Sequence, residues 1–356
     1  MPGLPEVFHN GIFMAVIAHG LIGISLIWDK ILLRRPETTN LPSYVFWLGF
    51  ISIFGLLLIP FGFHMPDLST SAIAFFAGLL HQVAIYFYYA ALKGGEASQT
   101  LAIMGGFSPV ATVLIAIPLL RHPLGGEGTL LGFLLLVAGG FVMFLSEKVN
   151  VRKVLLNVVV ASSLYGLVNV LQKVAFEQTN FVSGYVLFTL GTFFGSLALL
   201  LRPSWRRQII EHSEDAQPRS RLWYFVNRFI SGLGSFLTFY AISLTSPALV
   251  SAITGLRYVI IFVGAYGITR MRPRWLSENF TGAVLVAKMA ATCLVVAGLV
   301  LLGLRNEEEH AQRDVLRRFT IAAGRPRKLP ELLPPSAAAP PALSERASRE
   351  TSPAHS

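Results

Sequence analysis

Long apolar runs separated by short polar connections fill most of the chain. Each run approaches the roughly 20 helical residues that cross a hydrocarbon core, and none alternates as a barrel strand does. We therefore predict an all-α integral membrane protein with ten transmembrane helices. The predicted spans are roughly 11–33, 43–63, 71–92, 98–120, 128–146, 155–176, 182–201, 222–244, 247–268 and 284–304.

The composition agrees with a lipid environment. Of the 356 residues, 53% are hydrophobic and 13% are charged, against about 25% charged residues in soluble domains. The net charge is +10, but the basic residues lie in short loops and in the tail, as at helix ends that meet lipid. We expect a multi-pass protein of a plasma or inner membrane that binds no nucleic acid. The segment MPGLPEVFHN lacks the basic region of a signal peptide, so we expect the first span to stay in the mature protein.

Two stretches share the pattern of an apolar helix, a small polar turn and a second apolar helix. They are YYAALKGGEASQTLAIMGGFSPV and FYAISLTSPALVSAITGLRYV. Extending the comparison aligns Tyr89-Ala90 with Tyr240-Ala241, YVFWLGFISIFG with YVLFTLGTFFG, and GISLIWDKILL with GLVNVLQKVAF, which places Lys30 against Lys173. The sequence thus predicts two homologous five-helix halves, 11–150 and 151–304. Because five is odd, the second half enters the membrane from the opposite side, and inverted repeats are typical of secondary transporters.

On these motifs the chain resembles the drug/metabolite transporter superfamily, and in particular its ten-helix EamA-like members. The resemblance rests on YYAALKGGEASQTLAIMGGFSPVATVLIAIPLLRHPLGGEGTLLGFLLLVAGG and covers residues 11–304. It implies a secondary transporter, or permease, that moves a small metabolite, an amino-acid-like solute or a drug-like solute by alternating access. It also implies no metal or nucleotide cofactor. Outside the two halves we expect a short N-terminal segment, 1–10, and a disordered Pro-rich and charged tail, 305–356.

Two intramembrane arginines are candidate anion-binding residues. Arg257 lies near the middle of the ninth span, where a charge facing lipid would cost about 2.5–3.5 kcal/mol. It therefore either clamps a carboxylate or phosphate of a substrate or pairs with groups of another helix. Arg228, two turns inside the eighth span, either binds substrate or extends to the interface.

A polar stripe and two aromatic positions complete the predicted substrate path. Ser162, Tyr165, Asn169 and Gln172 recur on one face of the sixth span, where they either line a path or join helices. Tyr89 and Tyr240 either stack on a substrate or belong to interfacial belts.

Three residues are candidates for proton coupling. His19 and His81 lie within spans and titrate near neutral pH when unperturbed, although packing histidines are the alternative. Asp29 is the acidic residue closest to the hydrocarbon within a span, so it is a candidate partner for Arg257 or for a proton. Its neighbour Lys30 and the aligned Lys173 are expected to mark interfaces.

Three small residues have structural interpretations. Gly191 and Gly195 form a GxxxG spacing that favours close helix contact, either within the chain or in a homodimer. The lone cysteine, Cys293, has no disulfide partner and is interpreted as a small buried apolar residue.

Other function classes fit less well. The sequence has no metalloprotease, P-loop or nucleophile-elbow motif and no paired carboxylates within a span, so we predict that the protein is not an enzyme. The alternative from another class is a receptor or scaffold that signals through its C-terminal tail. Loop charges place both termini outside, whereas the family resemblance places both inside, so the side of the termini stays open.

Overall fold

Helices form the regular structure of the described chain. The computed structural model describes residues 10–33, 40–94, 97–120, 129–146, 152–215, 218–271, 282, 285–287, 289–298 and 300–301, and none of these residues belongs to a strand. The predicted tail, 305–356, and nearly all of the predicted N-terminal segment lie outside the described residues.

Eleven α-helices have defined bounds in this part of the chain. They are α1 Gly11–Leu33, α2 Leu41–Phe50, α3 Leu68–Gly94, α4 Ala97–Ala116, α5 Leu130–Ser146, α6 Arg152–Gln178, α7 Phe181–Ala198, α8 Pro203–Asp215, α9 Pro218–Leu244, α10 Pro247–Ala252 and α11 Gly255–Met271. Short 3-10 helices follow α2 and α7, at Ile51–Phe61 and Leu199–Leu201. Residues 289–298 are also helical.

Six helical segments of the described chain are long and apolar enough to cross a membrane. They are Gly11–Leu32, Leu41–Phe61, Leu68–Gly94, Val154–Gln178, Phe181–Leu201 and Pro247–Met271. These segments match the first, second, third, sixth, seventh and ninth predicted spans. The all-α, membrane-type fold class is therefore confirmed.

Polar side chains define where several helices begin. Asn40 accepts a hydrogen bond from the backbone N–H of Ser43 at the start of α2, and Asn180 accepts one from Ser183 at the start of α7. Asp67 caps α3 by accepting a hydrogen bond from the backbone N–H of Thr70 over 3.0 Å, and it also accepts from the hydroxyls of Ser69 and Thr70. These bonds hold the pKa of the Asp67 carboxyl well below its usual range.

Four details differ from the sequence expectations. The second span changes from α-helix to 3-10 helix at Ile51, and Gly62 ends it with a φ of 107° that favours glycine. The fourth span was expected to reach residue 120, but α4 ends at Ala116. The connection between the seventh and eighth predicted spans contains the helix α8, which the sequence analysis did not predict. Cys293 is exposed and not buried.

The amphipathic helix α8 packs on the apolar helices through a few side chains. Ile209 is buried, and the Trp205 ring stacks on Tyr86 of α3 with ring centroids 5.1 Å apart. The guanidinium of Arg202 lies over the Trp205 ring, 4.6 Å from its centroid. Hydropathy does not predict α8 because its polar face keeps the mean hydropathy of the segment low.

Helix packing links the two halves of the chain. Helix α1 packs on α9, and α3 packs on both α6 and α7. Where α3 meets α7, a side chain at Gly191 would collide with the backbone carbonyl of Phe75, and one at Gly78 would collide with that of Phe188. A Cβ at Gly195 would lie 2.9 Å from Cβ of Gln82. The GxxxG pair of α7 therefore makes a contact within the chain. This spacing gives no support to the predicted homodimer.

Candidate functional site

An ion pair lies buried between α1 and α9. Arg228 donates to the Asp29 carboxylate, and the two side chains are 3% and 0% exposed. The hydroxyls of Tyr44 and Tyr89 each donate to Asp29 over 2.6 Å, and the Asn227 amide donates to it as well. These five residues form what we call the ion-pair cluster.

Tyrosine rings surround the guanidinium of this cluster. Arg228 Cζ lies 5.3 Å from the ring centroid of Tyr44, 5.2 Å from that of Tyr224 and 6.0 Å from that of Tyr89. Aromatic faces attract a desolvated cation, and the hydrogen bonds offset the desolvation of the carboxylate. Arg228 Nε and Asn227 Oδ1 are buried without a hydrogen-bond partner among the described residues. The cluster is thus nearly, but not fully, satisfied.

The ion-pair cluster changes the interpretation of two predicted residues. Asp29 was a candidate partner for Arg257 or for a proton, and the structure pairs it with Arg228 instead. Arg228 was a candidate substrate clamp or an interfacial arginine, and its charge is engaged within the protein. Tyr44 and Asn227 were missed, although Tyr44 begins one of the repeated motifs and Asn227 precedes an intramembrane arginine.

The ninth predicted span is interrupted about two helical turns after its start. Helix α10 ends at Ala252 and α11 begins at Gly255. Across the break, Thr254 N–H donates to Ser251 O over 3.2 Å and Arg257 N–H donates to Thr254 O over 3.0 Å, so hydrogen bonds of 3-10 type replace the α-helical ones. This pairing leaves the carbonyl of Val250 without its usual donor at Thr254.

His19 of α1 contacts both sides of this break. His19 Nε2 lies 2.8 Å from Val250 O, and Arg257 Nε–H donates to His19 Nδ1 over 2.9 Å. His19 is 1% exposed, whereas Arg257 is partly exposed. The imidazole therefore connects the freed carbonyl of α10 with the guanidinium of α11.

Polar side chains of α4 and α6 approach the same break. Ser251 Oγ accepts a hydrogen bond from the Asn169 amide over 3.1 Å and lies 3.1 Å from the hydroxyl oxygen of Thr112. Tyr165 lies on the same face of α6 as Asn169, about one helical turn away, and is close enough to Arg257 to interact with its charge. Both Tyr165 and Asn169 are partly exposed. We call His19, Tyr165, Asn169, Ser251 and Arg257 the midspan site.

His81 of α3 adjoins the midspan site through an aromatic contact. Its ring centroid lies 5.6 Å from Tyr165, 5.0 Å from Phe188 and 5.9 Å from Phe239. The side chain is partly exposed, and its buried Nδ1 has no hydrogen-bond partner among the described residues. This imidazole therefore has an unused hydrogen-bonding atom beside a polar site.

The remaining predicted residues lie elsewhere. Gln172 Nε2 donates to Ala74 O over 3.5 Å, and Tyr240 packs edge-on against Phe181 with centroids 5.2 Å apart. Tyr89 belongs to the ion-pair cluster. The structure thus brings together Arg257, Tyr165, Asn169 and His19, and it separates them from the other three residues.

The two aligned lysines make equivalent hydrogen bonds. Lys30 Nζ donates to Leu92 O over 2.9 Å, in the last turn of α3, and Lys173 Nζ donates to Ser243 O over 3.3 Å, in the last turn of α9. A cation at a helix C-terminus satisfies a free carbonyl and interacts favourably with the negative end of the helix dipole. Lys30 is buried, so it caps a neighbouring helix and does not simply mark an interface.

Among the described residues, no group of three His, Cys, Asp or Glu side chains is arranged to hold a metal ion.

Comparison with known proteins gives information about the fold alone. No family model and no curated protein sequence matches the chain. Solved structures do, since 27 of their chains match. One of them, described only as the crystal structure of a protein, has a TM-score of 0.54 at 14% identity and covers 84% of this chain and 98% of that chain.

Proposed function

We propose that the protein is a secondary carrier with ten spans in two inverted five-helix halves. It moves a small anionic or zwitterionic metabolite, an amino-acid-like solute or a drug-like solute across a plasma or inner membrane by alternating access. The observation that carries this proposal is the partly exposed Arg257 at the break of the ninth span. Interrupted helices near the membrane midplane are where such carriers bind substrates and ions.

Equivalent local structure supports the inverted repeat. The alignment of Tyr89 with Tyr240 also aligns Leu92 with Ser243, and these are the two carbonyls that Lys30 and Lys173 bond. One alignment pairs the two lysines and a separate alignment pairs the residues whose carbonyls they bond. The two hydrogen bonds are therefore equivalent in both their donors and their acceptors.

Helix packing supports the repeat in the same way. Helix α1 packs on α9, the third helix of the other half, and α6 packs on α3 in the corresponding manner. Helices α2 and α7 both begin with an asparagine that accepts from a serine N–H three residues later. In this arrangement each half builds one wall of a central path, and rocking of the halves exposes the midspan site to each side in turn.

The interruptions also correspond between the halves. Pro109 lies inside α4, and the break at Thr254 interrupts the ninth span, which is the aligned span of the second half. A proline removes one helical hydrogen bond, and the break replaces several. Both positions therefore weaken a helix where a carrier has to bend.

Chemistry of the midspan site favours an anionic group on the substrate. The planar guanidinium of Arg257 matches a carboxylate or phosphate, and Tyr165 and Asn169 offer a hydroxyl and an amide on the facing helix. Among the three predicted coupling residues, His81 is the one with an unpartnered nitrogen and partial exposure. We assign any proton coupling to His81.

Flux measurements in proteoliposomes test this proposal. The purified protein is reconstituted with an imposed pH gradient and offered labelled amino acids, monocarboxylates, dicarboxylates, sugar phosphates and organic amines. We expect uptake of a carboxylate or phosphate solute. Arg257→Ala should lower its kcat/KM by about 10- to 100-fold, since a hydrogen bond to a charged group contributes about 1.5–3 kcal/mol.

Matched variants make the result interpretable. Arg207→Ala removes an exposed arginine of α8, paired only with Glu211 among the described contacts, and should keep wild-type flux. Deletion of residues 305–356 should also keep it. Unchanged flux in Arg257→Ala contradicts the assigned site, whereas absence of flux across the panel favours the receptor or scaffold alternative.

A further inference from the structure

We propose that His19 is a positioning residue, held in one uncharged tautomer. It orients Arg257 and donates a hydrogen bond to the carbonyl left free at the break of the ninth span. This role differs from the proton coupling for which the sequence made His19 a candidate. The inference rests on the proposed function only in what Arg257 binds. The arrangement of the imidazole itself is independent of it.

Hydrogen-bond chemistry fixes the tautomer of His19. A guanidinium can only donate, so the Nδ1 atom that accepts from Arg257 Nε–H carries no proton. A carbonyl can only accept, so the Nε2 atom 2.8 Å from Val250 O is the protonated one. The neutral Nε2–H imidazole is therefore the form that satisfies both contacts.

A second proton on His19 would disrupt this arrangement. It would sit on Nδ1 and point at the N–H of Arg257, so that two donors and two positive charges would face each other. Within the described ranges, the charged or titratable groups shown to interact at this contact are Arg257 from α11 and, beside it, Tyr165 from α6. Asp29, on the same helix as His19, is already paired with Arg228 of α9, so it does not offset the added charge.

The same contacts explain why the break persists. A buried carbonyl without a donor is unfavourable, and His19 supplies the donor that Val250 O loses when Thr254 N–H bonds to Ser251 O. Because the other ring nitrogen holds Arg257 Nε, the guanidinium is aimed by a rigid ring from α1 and not by its own flexible stem. Positioning of this kind limits the loss of side-chain entropy on substrate binding.

Nitrogen NMR tests the tautomer directly. The full chain, labelled with ¹⁵N-histidine and embedded in lipid nanodiscs, contains eight histidines, and the His19 signals are those missing from His19→Gln. We expect the neutral Nε2–H form at every pH between about 5 and 8. A His19 imidazolium signal in that range would overturn the proposal.

Two substitutions at His19 separate positioning from titration. Glutamine keeps one donor and one acceptor but does not titrate, whereas leucine removes both. In ¹⁵N-arginine samples, the Nε–H resonance of Arg257, assigned by its absence from Arg257→Lys, should shift in His19→Leu and stay near its wild-type position in His19→Gln. An Arg257 resonance that is unchanged in His19→Leu would show that the imidazole does not hold the guanidinium.

Transport of the monocarboxylates and sugar phosphates of the panel gives the functional readout. His19→Leu should raise KM about tenfold, the effect of one lost hydrogen bond to a charged group, with little change in kcat. His19→Gln, which keeps a donor and an acceptor, should recover most of the KM effect of His19→Leu and should respond to a pH gradient as the wild type does. Loss of that response in His19→Gln would assign the proton to His19 and overturn the inference. Absence of flux in the wild type would contradict the proposed carrier function. The NMR resonances of His19 and Arg257 would still test the positioning role of His19.

Discussion

At the scale of single residues, the Asp29–Arg228 pair is a buried ion pair, in contrast to the exposed pair of Arg207 with Glu211 in the described chain. Both side chains are buried, so neither charge is stabilised by water, and each depends on the other and on Tyr44, Tyr89 and Asn227. A pair of this kind contributes less to stability than its short contacts suggest, because desolvation opposes the attraction. Removal of one partner, however, leaves an uncompensated charge inside the protein.

This asymmetry predicts the effect of three variants. Asp29→Asn and Arg228→Met should each lower the free energy of unfolding by about 3–5 kcal/mol, because each leaves one buried charge unpaired. The double variant Asp29→Asn with Arg228→Met should lose less free energy of unfolding than the sum of the two single effects. Thermal unfolding in a fixed detergent measures all of them. Additive losses would show that the two charges do not depend on each other.

At the scale of helices, close contact between α3 and α7 depends on two glycines. The backbones approach at Gly78 and Gly191, where a methyl group at either position would strike the facing helix. The GxxxG spacing predicted a close contact but not its partner, because spacing identifies a face of one helix and says nothing about which helix covers it. The structure assigns that partner to the same chain.

Alanine substitutions in two helices test this contact. Alanine normally stabilises a helix interior relative to glycine by about 1 kcal/mol. Gly191→Ala should nevertheless lower the unfolding temperature, because its Cβ meets the Phe75 carbonyl. Gly232→Ala in α9 is the control, since nothing lies within 4 Å of its Cβ, and it should be neutral or stabilising. Equal effects of the two substitutions would contradict the described packing.

Sequence reasoning located helices better than it located breaks. The run from Pro247 to Met271 has a mean hydropathy of 1.9, so hydropathy predicts one continuous span. The break depends on backbone hydrogen bonds that hydropathy does not register. Likewise, the change to 3-10 helix at Ile51 alters the backbone without altering the composition.

At the scale of the whole molecule, side chains far apart in sequence determine the candidate site. Periodicity placed Tyr165, Asn169 and Gln172 on one face of α6, but Gln172 lies two turns beyond Tyr165, about 10 Å along the axis, and contacts α3 instead. The bond of His19 to Arg257 joins residues 238 positions apart. Contacts of this kind depend on how the two halves pack, which no local pattern encodes.

Counterflow is the most direct test of whether the whole molecule acts as a carrier. Proteoliposomes are loaded with an excess of the unlabelled panel solute that gives the highest uptake, and the labelled solute is added outside without any ion gradient. An alternating-access carrier predicts a transient accumulation of label above its equilibrium level, and Arg257→Ala should reduce this accumulation. Equilibration without an overshoot would indicate a channel, and label excluded from the vesicles would contradict the transport function.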